Sequence, residues 1–164
     1  MTAGAPGMTH PITLERIMAF HAAYIRCIDN DDLEAWPNSF ADECLYKITT
    51  AENHRLGLEA GIIFANSKRM LIDRVAALRG VNIYEKQSYR HILGLPNILK
   101  NGGLEADTET PFLVVRIMHN GQSDLFASGV YIDTFRSKGD MLLLTKRFVV
   151  CDSSRIDTLV ALPL

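Results

Sequence analysis

The sequence predicts an α+β domain. Apolar residues recur at three- and four-residue steps in its first half, and two hairpin turns separate long extended segments in its second half. Helices first and strands afterwards place N-terminal helices on one face of a curved antiparallel sheet. At 164 residues the chain is the size of one domain able to bury a core.

Residues 1–11, with two Gly and two Pro, read as a flexible N-terminal arm, and 12–164 as a single domain. The first helix is carried by Leu14, Ile17, Met18, His21, Tyr24, Ile25 and Ile28, with Thr13 as its N-cap. A second, short helix is expected from Asp32 to Phe40, limited by Pro37. A first strand covers Cys44–Thr50, and a Gly-containing stretch follows from Asn53 to Ala65. A third helix is predicted from Lys68 to Arg79, capped by Ser67, stopped by Gly80, and burying Leu71, Val75 and Leu78.

Strands begin at Tyr89. Residues 100–110, rich in Gly and acids, read as a flexible surface loop. Phe112–Met118 leads into His119-Asn120-Gly121-Gln122, a hairpin turn, since Asn-Gly takes the positive φ that such turns require. The strand Asp124–Phe135 runs to a second turn at Ser137–Asp140. Met141–Cys151 closes the meander, and an extended segment covers Ile156–Leu162.

Composition excludes several classes of function. The net charge is −2 with no run of Lys and Arg, which argues against nucleic acid as a partner. A near-neutral surface favours association with other chains. Cys27, Cys44 and Cys151 are widely spaced and odd in number, as expected of free thiols in a reducing compartment. The N-terminus lacks the basic and apolar regions of a signal peptide, and no stretch approaches the ~20 apolar residues of a membrane helix. A soluble, cytoplasmic protein is expected.

No pattern specifies a reaction. The five histidines are scattered without a metal-ligand spacing, and no paired Cys-x-His segments exist to hold a Rieske cluster. There is no GxSxG, GxGxxG or GxxxxGK[ST]. His21, on an apolar helical stripe, reads as a hydrogen-bonded core or interface histidine. Arg116 and Arg147 read as solvent or interface charges. Trp36 reads as core packing or an interface anchor. One constellation remains, formed by Asp73 and Arg74 with Tyr84 and the strand Tyr89-Arg90-His91. These groups serve either as a polar network locking helix to sheet or subunit to subunit, or as an acid–base set in a pocket.

Several stretches carry a resemblance. FHAAYIRCIDNDDLEAWPNSFADECLY (20–46), ENHRLGLEAGI (52–62), MLIDRVAALRGVNIYE (70–85), YRHILGLP (89–96), TPFLVVRIMHNG (110–121), FASGVYIDTF (126–135) and VCDSSRIDTLVALPL (150–164) together resemble the small (β) subunit of Rieske-type aromatic-ring-hydroxylating dioxygenases. NIYE, YRHILGLP and DTLVALPL are similar to its terephthalate branch.

The resemblance implies a cone-shaped, cystatin-like or nuclear-transport-factor-2-like fold. It implies an α3β3 assembly in which the large (α) chain holds a Rieske [2Fe–2S] cluster and a mononuclear iron, with electrons drawn from NADH through a separate reductase. This chain would then contribute no catalytic, cofactor or metal residue, and the complex would cis-dihydroxylate terephthalate. Two alternatives stay open: a small subunit serving another aromatic acid (salicylate, anthranilate or benzoate), and a stand-alone cone-fold dehydratase or isomerase.

Overall fold

The computed structural model describes residues 10–59, 61–80, 86–154 and 162–164. Helix α1 spans Leu14–Asp29, with the Thr13 side chain accepting from the Arg16 N–H at its start. A 3-10 turn at Trp36–Ser39 leads into β1 (Phe40–Thr50), followed by α2 (Ala51–Arg55), β2 (Ile63–Ala65) and α3 (Lys68–Gly80). Five more strands follow among the described residues: β3 (Gln87–Leu93), β4 (Asn97–Asn101), β5 (Glu105–Met118), β6 (Ser123–Lys138) and β7 (Met141–Cys151). The strands form one sheet in the order β2-β1-β7-β6-β5-β3, with β4 on the other half of the β5 edge. This curved, unclosed sheet covered by helices is the cystatin-like α+β cone.

Sequence and structure differ at four places, each for a local reason. The expected Asp32–Phe40 helix shrinks to the 3-10 turn, because Pro37 has no N–H to continue a helical ladder. The loop expected at 100–110 is the start of β5 from Glu105. Its inward residues there, Ala106, Thr108 and Thr110, are small or polar, so the acids at 105, 107 and 109 hid an ordinary strand alternation. The stretch from Asn53 to Ala65 contains the end of α2 and the edge strand β2. The sheet is also mixed, since β1 runs parallel to β7. Those two strands are joined by most of the chain, and a parallel pair requires such a crossover. The expected extended segment lies outside the described residues apart from Leu162.

The core fills the concave face. α1 lays Ile17, His21, Tyr24 and Ile28 against Tyr46 and Ile48 of β1, Tyr131 and Phe135 of β6, and Val149 of β7. Arg16 fastens the start of the helix, donating to the carbonyls of His10, Pro11, Asp140 and Met141 and to the Ser137 hydroxyl.

Gly129 sits where β6 crosses the end of β7, opposite Cys151. A Cβ at this position would overlap the Val150 carbonyl oxygen. The missing side chain lets β6 approach β7 beside the stacked rings of Phe112 and Tyr131, whose centroids are 4.6 Å apart. Gly129→Ala should therefore lose about 1–3 kcal/mol of stability through overpacking against backbone. Urea unfolding of wild type and variant measures it, and equal midpoints would show that the crossing tolerates a methyl group.

Candidate functional site

Three strands and one helix bring a polar cluster to the centre of the cone. β6 runs inward with Tyr131, Asp133 and Phe135, and β7 with Leu144, Arg147 and Val149. A plain ladder from the hairpin turn would set Asp133 opposite Lys146. A bulge between the Thr134 and Phe135 pairs, with Thr145 as the extra residue on β7, advances the register so that Asp133 faces Arg147. Both side chains are fully buried. The guanidinium meets the carboxylate through two bonds, Nε to Oδ1 at 2.8 Å and Nη2 to Oδ2 at 2.7 Å. Its flat faces lie 4.1 Å from the ring centroids of Tyr24 and Tyr131. Burial opposes the charge on Arg147, but Asp133 together with Tyr24 and Tyr131 outweighs it and raises the Arg147 pKa above its ordinary value.

His21 completes the cluster. Its Nδ1 lies 3.2 Å from Arg147 Nη2 and its Nε2 3.2 Å from Thr110 Oγ1. A guanidinium can only donate, so Nδ1 accepts and the ring carries its proton on Nε2. Burial, and then the positive charge of Arg147, hold the His21 pKa down to about 2. The ring is a neutral spacer rather than a proton carrier near neutrality.

A second pair joins the C-terminal end of α1 to the edge strand β3. Asp29 Oδ1 lies 2.6 Å from His91 Nδ1, and Oδ2 accepts the His91 backbone N–H at 3.0 Å. Arg90 reaches the same carboxylate only at 4.0 Å, with its side chain 63% exposed. On the surface, Arg79 of α3 bonds Asp31 and Glu34 in the segment after α1.

These contacts revise the constellation read from the sequence. His91 and Arg90 lie at a helix–sheet junction, as a locking network requires, but their carboxylate is Asp29. Asp73 is exposed and joins neither pair, because it faces outward from α3. Arg74 is half-buried on the same helix. Tyr84 lies outside the described residues. Trp36 is buried, edge-on to Phe40 and Tyr46. Arg116 pairs with Asp124 beside the Phe126 ring, with its side chain only 14% exposed. Arg147 is a correction: its strand points it into the core. The available signal was one Asp and one Arg on the two strands of a single hairpin, obscured by the bulge.

The donor set does not fit an iron centre. Among the described residues no group of three or more His, Cys, Asp or Glu side chains is placed to hold a metal ion. Both His21 nitrogens are engaged, one by a guanidinium that would repel a cation. Burial raises the Cys44 thiol to about 11 and the Cys151 thiol to about 12, which leaves both protonated and poorly nucleophilic.

The profile of the ring hydroxylating beta subunit family matches residues 24–158. The chain belongs to that family. It is 50% identical over 149 residues to the terephthalate 1,2-dioxygenase terminal oxygenase component subunit beta 1 of a Comamonas species, covering 91% of this chain and 97% of that one. It is 43% identical over 142 residues to the anthranilate 1,2-dioxygenase small subunit of Burkholderia cepacia, covering 86% and 88%. Among solved structures, a beta subunit assigned to an aromatic-ring-hydroxylating dioxygenase of Novosphingobium aromaticivorans superposes with a TM-score of 0.83 at 34% identity, covering 91% and 94%. As a ring hydroxylating beta subunit, the chain serves an oxygenase whose partner is an alpha chain.

The two internal pairs give separate tests. Asp133→Asn strands the Arg147 charge in the core and should cost about 3–5 kcal/mol, whereas Arg90→Ala at its exposed pair should cost no more than about 1 kcal/mol. Chemical denaturation of both variants checks the contrast.

The His21 ring, facing Arg147, Asp133, Thr110, Tyr131 and Phe135, predicts a pH dependence. Its folded pKa lies below its unfolded value near 6.5, so the unfolded chain binds the proton first as pH falls. Its stabilising effect is complete above about pH 6.5 and is lost progressively below that, at up to about 1.4 kcal/mol per pH unit. His21→Gln should flatten the unfolding midpoint between pH 6.5 and 4.5; an unchanged slope would show that other groups set it.

Proposed function

We propose that this chain is the non-catalytic small subunit of an α3β3 dioxygenase that cis-dihydroxylates terephthalate in the cytoplasm. The large chain holds the Rieske cluster and the mononuclear iron in this reading, and NADH supplies electrons through a separate reductase. Three small subunits form the base on which the large chains are held. The substrate assignment rests on the 50% identity to the terephthalate relative, against 43% to the anthranilate one.

The observation that carries the supporting role is that the charged groups at the centre of the cone are bonded to one another. Arg147 bonds Asp133 and His21, and Asp29 binds His91. A general acid or base must present a free proton or lone pair to a substrate. Asp133 and both His21 nitrogens are engaged by internal partners, and the unpaired His91 Nε2 is buried away from solvent. The outer surface favours contact with other chains. Leu56, Leu58, Ile62 and Phe64 are exposed at and before β2, and Leu95 beyond β3 is 75% exposed. Rigid placement of neighbouring large chains is itself worth rate, since a displacement of about 1 Å can cost on the order of 100-fold.

Co-expression with the large chain tests assembly and activity together. Sedimentation should show three copies of each chain, and terephthalate should yield its cis-dihydrodiol in preference to anthranilate, salicylate or benzoate. His91→Gln should keep turnover per iron within about tenfold in assembled complex, with losses appearing as lower assembly. A loss beyond about 100-fold in fully assembled, iron-loaded complex would overturn the supporting role. Stoichiometric iron in the small chain purified alone would do the same.

A further inference from the structure

Lys47 carries a charge yet is only 7% exposed. Strand alternation turns it away from the core, because Tyr46 and Ile48 on either side of it face α1. Its neighbours on that outer face are Phe64, its partner on β2, and Phe148, its partner on β7. The stretch after α2 folds over it. Gly61 leaves room for the Lys47 stem, since a Cβ there would come within 2.8 Å of Lys47 Cγ, and the Leu58 carbonyl accepts from Nζ at 3.3 Å.

This ammonium lacks a counter-charge. Beyond the Leu58 carbonyl it has the Phe148 ring, whose centroid is 4.4 Å away, and among the described residues no carboxylate pairs with it. A second cation borders the same ring, with Lys146 Nζ 5.6 Å from the centroid. Glu52 and Glu59 of the overlying stretch are exposed and pair with neither lysine. One carbonyl and a ring recover only part of the cost of desolvating an ammonium, which a carboxylate ordinarily offsets. The surroundings are apolar. Leu56, Leu58, Ile62 and Phe64 are exposed, Leu58 bonds Lys47, and Phe64 lies opposite it across the strands. Exposed aliphatic and aromatic side chains around a desolvated charge suit a macromolecular partner rather than a free ion.

We propose that the large (α) chain docks on this patch and seats one Asp or Glu carboxylate on the Lys47 ammonium, with its own apolar side chains covering Leu58, Ile62 and Phe64. Charge complementarity selects the occupant: the patch supplies the cation and the apolar floor, and lacks only the acid. The proposal rests on the reading of this chain as the support of a large chain, a partner that membership of the family supplies. Docking is distinguishable from packing. A lysine that served only the fold would tolerate methionine, whose stem fills much the same space.

The test uses the complex co-expressed with the large chain, diluted serially and followed by sedimentation. With Lys47→Met the chains should separate at a concentration about 30-fold or more above that of wild type, the loss expected when one member of a buried charge pair is truncated. Lys47→Arg, which keeps the charge, should lie within about threefold of wild type. Phe64→Ser, at an exposed position the fold tolerates, should separate about tenfold sooner. Leu95→Ser, at an exposed residue by the opposite edge of the sheet, should leave the dissociation unchanged. Carbodiimide, which joins an amine to a carboxylate without a spacer, should link Lys47 to an acidic residue of the large chain. If Lys47→Met yields no complex at all, Phe64→Ser and the cross-link decide. Wild type that fails to assemble with the large chain overturns the supporting reading itself. Assembled wild type with Lys47→Met dissociating no sooner, or a link from Lys47 to another small chain, overturns this docking site alone.

Discussion

The structure depends on the Arg147–Asp133 pair at the centre of the cone. Two charges taken out of water carry a desolvation penalty of several kcal/mol each, which is recovered only if geometry and hydrogen bonding are close to ideal. Here the geometry is supplied from four directions. The β6–β7 bulge sets the two residues face to face, Tyr24 from α1 and Tyr131 from β6 close the flat sides of the guanidinium, and His21 caps Nη2. Thr110 of β5 then holds the far nitrogen of His21. One ion pair thus ties together α1 and three adjacent strands, and each element positions a group the others need.

That dependence explains why part of the molecule was legible in the sequence and part was not. Helix α1 was readable because its apolar stripe has the helical period and Thr13 caps it; its buried residues Ile17, His21, Tyr24 and Ile28 were all on that stripe. β7 was readable because a Gly turn and an Asp bound it on both sides. β5 was half hidden, since its first inward residues are Ala and Thr while its outward ones are acids. The central pair was hidden altogether. Strand alternation can tell which face Arg147 shares with its own neighbours, but not which face is the core until the register with β6 is known, and a bulge changes that register by one residue. Asp29 was missed because it closes a helix, where an acid reads as surface; only the fold brings β3 to it.

The same logic separates this cone from an enzyme built on a similar frame. A sheet curled around a helix encloses a volume, and a catalyst leaves that volume open to substrate. In this chain the volume is taken by Trp36, Phe40, Tyr24, Tyr46, Tyr131 and Leu164, in contact edge to face or through hydrogen bonds. Such a core gains packing energy and gives up reactivity. Close packing also resists deformation, because interiors at this density transmit displacement rather than absorb it.

Resistance to deformation is what a supporting subunit has to supply, and the fastenings of α1 show how it is obtained. At the start of the helix, Arg16 bonds the segment before it and the β6–β7 turn; at its middle, His21 and Tyr24 hold the ion pair; at its end, Asp29 takes both the ring and the backbone of His91. The helix is therefore fixed along its whole length to both halves of the sheet, to β7 on one side and β3 on the other. A hinge between the halves would have to break a buried charged contact. Rigidity is concentrated inside, and the surface is left free to be shaped by the chains it meets.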